Sequence, residues 1–197
     1  MVCMSEQWIV GVDEVGRGPL AGPVAVGVFA VPNGVSQSFL KGIKDSKKLS
    51  GHAREEWARI LNRHPEARSA VAMVGANSID THGIVQSIQI AMRRALQRLD
   101  INPINAQVLL DGGLHAPDEY TSQRTIIKGD NSIPVISAAA ILAKVRRDDY
   151  MTNLARRYPE YAFEQHKGYG TKQHRDALAR FGLSDVHRRS FCTRLAH

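Results

Sequence analysis

The apolar positions follow two periods along this chain, short β-branched runs in the first third and helical stripes farther on. Trp8-Ile9-Val10-Gly11-Val12 is a continuous apolar segment that suits a buried strand over 8–13, so that Asp13 falls at its exit. Residues 22–31 contain Pro23-Val24-Ala25-Val26-Gly27-Val28-Phe29-Ala30-Val31, ended by the turn residues Pro32-Asn33-Gly34. A hairpin between these two strands is expected. Further strands are predicted over 67–76, 107–111 and 124–128. Ser50 can cap a helix through about Asn62, and Ser78 or Asp80 a longer one with Ile84, Ile88, Ala91, Met92, Ala95 and Leu99 on one face. Pro134 suits a helix start, and Ser137-Ala138-Ala139-Ala140-Ile141-Leu142-Ala143 allows close packing on a sheet. Near Tyr158-Pro159 the main unit should end. Lys167-Gly168-Tyr169-Gly170-Thr171 then leads into a short basic helix ending at Phe181-Gly182. The pattern predicts an α/β chain with a main domain over 1–158 and a small basic C-terminal helical extension, 159–197, packed on the same unit. No fixed-period repeat and no low-complexity tract interrupts it.

No apolar run reaches the roughly 18 residues of a membrane span, and the first residues lack the basic flank and apolar stretch of a secretory signal. A cytoplasmic protein is expected. Cys3 and Cys192 have no close-spaced partner, which predicts two free thiols. None of the eight histidines has a zinc-ligand spacing, so each is expected at the surface or in a hydrogen bond. The net charge of +7 changes the picture more, because it favours a polyanionic partner, nucleic acid foremost. Basic residues concentrate over 41–48, 144–147 and 156–194.

Acids stand at the ends of predicted strands. Asp13-Glu14 follows the first, Asp111-Gly112 the fourth and Lys128-Gly129-Asp130 the fifth. Strand alternation points Asp13 and Glu14 to opposite faces unless the chain turns at Glu14. If the three exits share one edge of a sheet, Asp13, Glu14, Asp111 and Asp130 converge. Such a cluster repels itself when empty and is relieved by divalent cations, and an all-oxygen ligand set favours Mg2+ or Mn2+. Two such ions would activate a water and neutralise the leaving oxyanion at a phosphodiester. Gly16 and Gly18 expose backbone to a sugar or phosphate, and Arg17 adds a fixed charge.

These segments resemble the type 2 ribonuclease H family, ribonuclease HII. The resemblance rests on Asp13-Glu14-Val15-Gly16-Arg17-Gly18, Asp45-Ser46-Lys47-Lys48-Leu49, Asp111-Gly112 and Lys128-Gly129-Asp130. It continues through Ser137 to Asp148, Lys167-Gly168-Tyr169-Gly170-Thr171 and His187-Arg188-Arg189-Ser190-Phe191, in the family's order over essentially the whole chain. It implies an RNase H-like fold, a mixed five-stranded sheet flanked by helices. It implies an endonuclease that hydrolyses the RNA strand of RNA/DNA hybrids and cuts 5′ of single ribonucleotides in duplex DNA, by two-metal-ion catalysis giving 3′-hydroxyl and 5′-phosphate ends. Asp13, Glu14, Asp111 and Asp130 become the catalytic and metal-binding acids. Gly16, Arg17 and Gly18 become the ribonucleotide sensor, reading the 2′-hydroxyl through backbone groups, and Tyr169 stacks on the sugar at the junction. Lys47, Lys48 and Arg188 become phosphate contacts. Lys144 and Arg147 either support the acids electrostatically or pack along the surface, and Asp148 is expected as a structural partner.

Two departures stand out. The family often carries asparagine where this chain has Gly83, and residues 191–197 show no sliding-clamp peptide. The resemblance favours a monomer. The alternatives are a ribonuclease HIII-like hybrid nuclease, against which Gly16-Arg17-Gly18 speaks, and a non-catalytic hybrid-binding protein, which would not need four strand-end acids.

Overall fold

The computed structural model describes residues 7–43 and 49–193. Five strands, β1 (Trp8–Val15), β2 (Val24–Pro32), β3 (Arg68–Val74), β4 (Ala106–Asp111) and β5 (Ser122–Ile126), form one mixed sheet in the order β3-β2-β1-β4-β5. β1 and β2 form the expected antiparallel pair, Trp8 opposite Pro32 through Val15 opposite Ala25. β4 and β5 run parallel to β1 on its other side, so the ends of β1, β4 and β5 leave the sheet at one edge. Strand bounds shift by up to two residues: β1 continues two past Asp13, β2 starts two later and β3 ends two earlier than predicted, and β5 begins two residues earlier and stops before Lys128. Lys128 itself has φ +55°, a left-handed turn that ends any strand there.

Alternation divides the core. Val10, Val12, Val24, Val26, Val28 and Ala30 face α2 (Ala76–Gln97), where they meet Ile88, Ala91, Met92 and Ala95. Phe29 and Val31 face the other way, onto α1 (Gly51–Arg63) and α3 (Pro134–Ala155), where they meet Leu61, Val135, Ala138 and Ile141. Ser50 caps α1 as predicted, its Oγ accepting from Ala53 N at 3.2 Å.

α2 differs at its start. It begins at Ala76 with no side-chain cap, and Gly83 (φ +78°, ψ 163°) breaks it into two helical stretches. Asp80, expected as a cap of α2, turns outward instead and receives Arg189 N, Ser190 N and Ser190 Oγ at 2.6–3.0 Å. It thereby caps the short helix α6 (Arg189–Cys192) from the far end of the chain.

α3 lies almost on the sheet backbone. Every residue from Val135 to Ala143 is buried, and Gly11 and Gly27 are the reason the helix fits. A Cβ at Gly27 would stand 2.2 Å from Ala139 O, and one at Gly11 2.2 Å from the Val135 carbonyl. Backbone on both sides leaves nothing to move aside. Gly27→Ala is therefore expected to cost about 3 kcal/mol, read as a lowered urea midpoint. A midpoint equal to that of the wild type would mean that the contact is looser than described.

A third cluster joins Ala21, Met151 and Leu154 to Tyr161, Phe163 and Leu178, and so seats α4 (Phe163–His166) and α5 (Lys172–Phe181) on the end of α3. Among the described residues no helix is long and apolar enough to cross a membrane.

Candidate active site

Parity along the strands brings the aspartates together. Asp13 falls on the same face of β1 as Gly11, the face that α3 covers, and Asp111 on the same face of β4 as Leu109, which packs into the α3 side of the core. β1 and β4 are in register with Val12 beside Leu110, so Asp13 and Asp111 follow as neighbours. Asp130 arrives from the turn just before α3. One carboxylate oxygen from each of the three can be chosen so that all lie within 4.8 Å of one another.

The turns are tied to the cluster by hydrogen bonds. Gly129 N donates to Asp111 Oδ1 at 2.7 Å, Glu14 N to Asp13 Oδ1 at 2.7 Å, and Asn131 Nδ2 to Asp130 Oδ1 at 3.1 Å. Ser137 Oγ, one turn into α3, donates to Asp130 O at 2.7 Å. The electrostatics are unfavourable by construction. Burial first, then the charges of Glu14 and Asp111, push the Asp13 carboxyl well above the ordinary carboxylate range. An all-oxygen cluster in which Asp13 resists ionisation on its own fits a divalent cation, which would restore the charged form of that carboxyl.

Glu14 stands apart from these three. The chain does not turn at Glu14 but runs on as strand, with Glu14 opposite Val26, so alternation sends its side chain to the other face. Its Oε1 accepts from Arg17 Nη1 at 3.0 Å. Burial raises its carboxyl, the Arg17 bond opposes this, and the charge of Asp111 adds a smaller push upward.

Other predicted residues divide. Gly16 (φ +94°), Arg17 and Gly18 form the loop leaving β1, with Arg17 and Gly18 exposed. Tyr169 is exposed on the 168–170 turn, its ring 5.9 Å from Arg147 Cζ. Lys47 and Lys48 lie outside the described residues. Lys144 pairs with Asp148 at 2.7 Å, which gives Asp148 its expected structural partner.

Arg188 requires a correction. Expected as a phosphate contact, it is fully buried, with Nη2 on Gly16 O (2.7 Å), Nη1 on Arg17 O (2.9 Å) and Nε on Gly22 O (2.9 Å). Its guanidinium is spent on three carbonyls and does not face solvent. Burial, then the charge of Arg147, lowers its pKa to about 9, so it stays charged at neutral pH. Arg147 neither packs along the surface nor reaches the acids. Fully buried, it donates from Nε to Pro23 O at 2.9 Å and from Nη2 to Ala21 O at 3.4 Å.

Three histidines are hydrogen-bonded, as expected of them, but they are buried together in one network that no spacing in the sequence reveals. Ser184 N donates to His187 Nδ1 (3.0 Å), which leaves His187 Nε2 as the donor to His174 Nε2 (3.0 Å) and His174 Nδ1 as the donor to Tyr169 O (3.0 Å). His166 accepts from Gly168 N and donates to Tyr161 O. These donor and acceptor roles follow from the network, and each ring satisfies them only when neutral. The histidines thus hold the turn that carries Tyr169.

The ribonuclease HII family profile matches residues 10–194. The chain belongs to the ribonuclease HII family. Ribonuclease HII of Chlamydia caviae is 44% identical over 183 residues, covering 93% of this chain and 83% of its own length. That of Synechococcus sp. WH7803 is 45% identical over 190 residues, covering 94% and 95%. Among solved structures, the PCNA:RNase HII complex from Archaeoglobus fulgidus contains a chain that superposes with a TM-score of 0.74 at 25% identity, over 96% of this chain and 97% of that one. Bst-RNase HIII in complex with Mn2+ shares the fold, with a TM-score of 0.63 at 16% identity over 98% of this chain and 72% of its own. As a ribonuclease HII, the protein is an endoribonuclease of the ribonuclease H type that depends on metal and acts on RNA/DNA hybrids. Its acidic cluster is compatible with a divalent ion.

Proposed function

We propose that the protein, beyond cutting the RNA strand of hybrids, cuts duplex DNA on the 5′ side of a single embedded ribonucleotide, through two Mg2+ or Mn2+ ions. The observation that carries this reading is the convergence of Asp13, Asp111 and Asp130 at the sheet edge from which the Gly16-Arg17-Gly18 loop departs. Asp13, Asp111 and Asp130 hold the ions, and Glu14 supplies the fourth acid from beside them. Bound there, the ions supply a water nucleophile at neutral pH and neutralise charge at the phosphate.

The chain's own residues position the substrate. The scissile phosphodiester lies against the aspartates, water adds to phosphorus, and the bond to the 3′ oxygen breaks, leaving a 3′-hydroxyl and a 5′-phosphate. The ribose 2′-hydroxyl is read by the 16–18 backbone and takes no part as nucleophile. Tyr169 stacks on the sugar at the junction, which its exposure permits. Lys47 and Lys48 act as phosphate contacts. The protein works as a monomer on RNA/DNA hybrid and on ribonucleotide-containing duplex DNA.

The test is end-mapping on duplex DNA carrying one ribonucleotide, with magnesium, manganese or chelator. Cutting 5′ of the ribonucleotide that chelator abolishes is the expected result, with Tyr169→Ala lowering kcat/KM roughly tenfold, in line with one lost stacking contact. Cleavage confined to longer RNA tracts would overturn the single-ribonucleotide reading in favour of a ribonuclease HIII-like specificity.

A further inference from the structure

The 16–23 loop is gripped from beneath by residues that come from the far end of the chain. Arg188 donates to the carbonyls of Gly16, Arg17 and Gly22, and its own backbone N–H to Leu20 O at 2.8 Å. Gly22 N in turn donates to Val186 O at 2.9 Å, and Arg147 takes the carbonyls of Pro23 and Ala21. Five carbonyls of this stretch, those of Gly16, Arg17, Ala21, Gly22 and Pro23, thus face inward onto buried guanidinium groups.

Peptide geometry converts that observation into a statement about the outward side. In a trans peptide the C=O and the N–H of one unit point in opposite directions, and none of the described peptides is cis. When Arg188 draws Gly16 O inward, the N–H of Arg17 turns outward. When it draws Arg17 O inward, the N–H of Gly18 follows. Two successive donors then point away from the buried side, on exposed residues where one oxygen acceptor can reach them.

We infer that Arg188 is the positioning residue for ribose discrimination: its buried fork sets the polarity of two consecutive peptides and presents the Arg17 and Gly18 N–H groups to a ribonucleotide's 2′ oxygen. This rests on the single-ribonucleotide reading above. A deoxyribonucleotide brings no oxygen to these donors, so a duplex without ribose forfeits the bonds. Arginine is required because only a rigid planar fork with several donors reaches three carbonyls at once; lysine offers a single point of attachment. Arg188 touches no substrate and acts through the loop.

The experiment compares binding, by fluorescence anisotropy in chelator, of one duplex with a single ribonucleotide and the same duplex made wholly of DNA. The wild type is expected to prefer the first. Arg188→Lys should lower that preference roughly tenfold, the scale of a lost charge-assisted restraint, while affinity for the all-DNA duplex stays as it was. Arg188→Gln gives the same test without a buried cation. Leu61→Ala, on the buried face of α1, serves as a chain destabilised elsewhere and should keep the wild-type preference. A parallel loss of both affinities in the Arg188 variants, tracking their melting temperatures, would reduce the residue to a structural role and overturn the inference. So would an unchanged preference in either variant. A wild-type protein with no preference would instead sink the single-ribonucleotide reading itself, and the inference with it.

Discussion

Asp13→Asn is expected to yield a protein that no longer cuts and yet is more stable than the wild type when metal is absent. Loss of cleavage should reach at least about a thousandfold, the scale of several kcal/mol of lost transition-state stabilisation. The gain in stability follows from the site's electrostatics. Asp13 is buried beside Glu14, Asp111 and Asp130, and its carboxyl is held well above its ordinary range. The folded state therefore binds a proton that the unfolded chain gives up, and stability declines as pH rises from the ordinary carboxylate range through the raised folded value. Asparagine removes the ionisation and keeps an oxygen for Glu14 N, so the decline should disappear, with a gain of about 1–2 kcal/mol near neutral pH. Thermal melts across pH in chelator measure it. Adding Mn2+ should raise the wild-type midpoint and barely move that of the variant. A variant that melts below the wild type at every pH, or that retains its rate, would remove Asp13 from the centre of the site.

Acid should act through the histidines. Burial, first among the causes, lowers the pKa of His174 and of His187 to about 4, and each is pushed further down by a neighbouring imidazole. A folded value below the unfolded 6.5 means that the unfolded chain takes up protons first as pH falls. The contribution is complete above the unfolded value, drains away between about pH 6.5 and 4, and is gone below. For one imidazole shifted this far the linkage amounts to about 3 kcal/mol. His174 and His187 share one bond, so their sum is smaller than twice that. The Asp13 carboxyl works in the opposite sense over part of the same window, so the measurement belongs in the Asp13→Asn background. There, urea midpoints should fall steeply from pH 6.5 to 4, and His174→Phe should flatten the slope. A slope unchanged by His174→Phe would place the acid sensitivity elsewhere. Because His174 Nδ1 and Gly168 N lie at the Tyr169 turn, KM for a ribonucleotide duplex is expected to rise in this window before the chain unfolds.

What could be read in the chain beforehand has a physical pattern. β1 and β2 were visible because a strand buried on both faces is a continuous β-branched run. Asp13 and Asp111 are legible because each closes an apolar run at a strand exit, and Asp130 because it follows Ile126-Ile127 and a Lys128-Gly129 turn. β5 was placed late because Ser122-Gln123-Arg124-Thr125-Ile126 is a polar edge strand whose alternation carries little apolar signal. The side to which Glu14 points is not legible locally, because whether the chain bends after Asp13 is decided by pairing with β2. The burial of Arg147 and Arg188 is not legible because arginine is rarely fully buried, and nothing local reveals that carbonyls more than a hundred residues distant await them. His166, His174 and His187 sit on different elements, and no spacing rule links them. Asp80 was misplaced for a related reason: a side chain able to cap its own helix here caps another.

The long reach of Arg188 bears on how the protein is made. Its bond to Gly16 O spans 172 positions, so the loop that opens at Gly16 waits for almost the entire chain to leave the ribosome. Asp13, Asp111 and Asp130 are all available far sooner. A polypeptide interrupted after α3 would hold all three aspartates without the clasp on the 16–18 loop, so under the proposed role of Arg188 selectivity would be completed after the cutting centre in biosynthesis and lost before it by truncation.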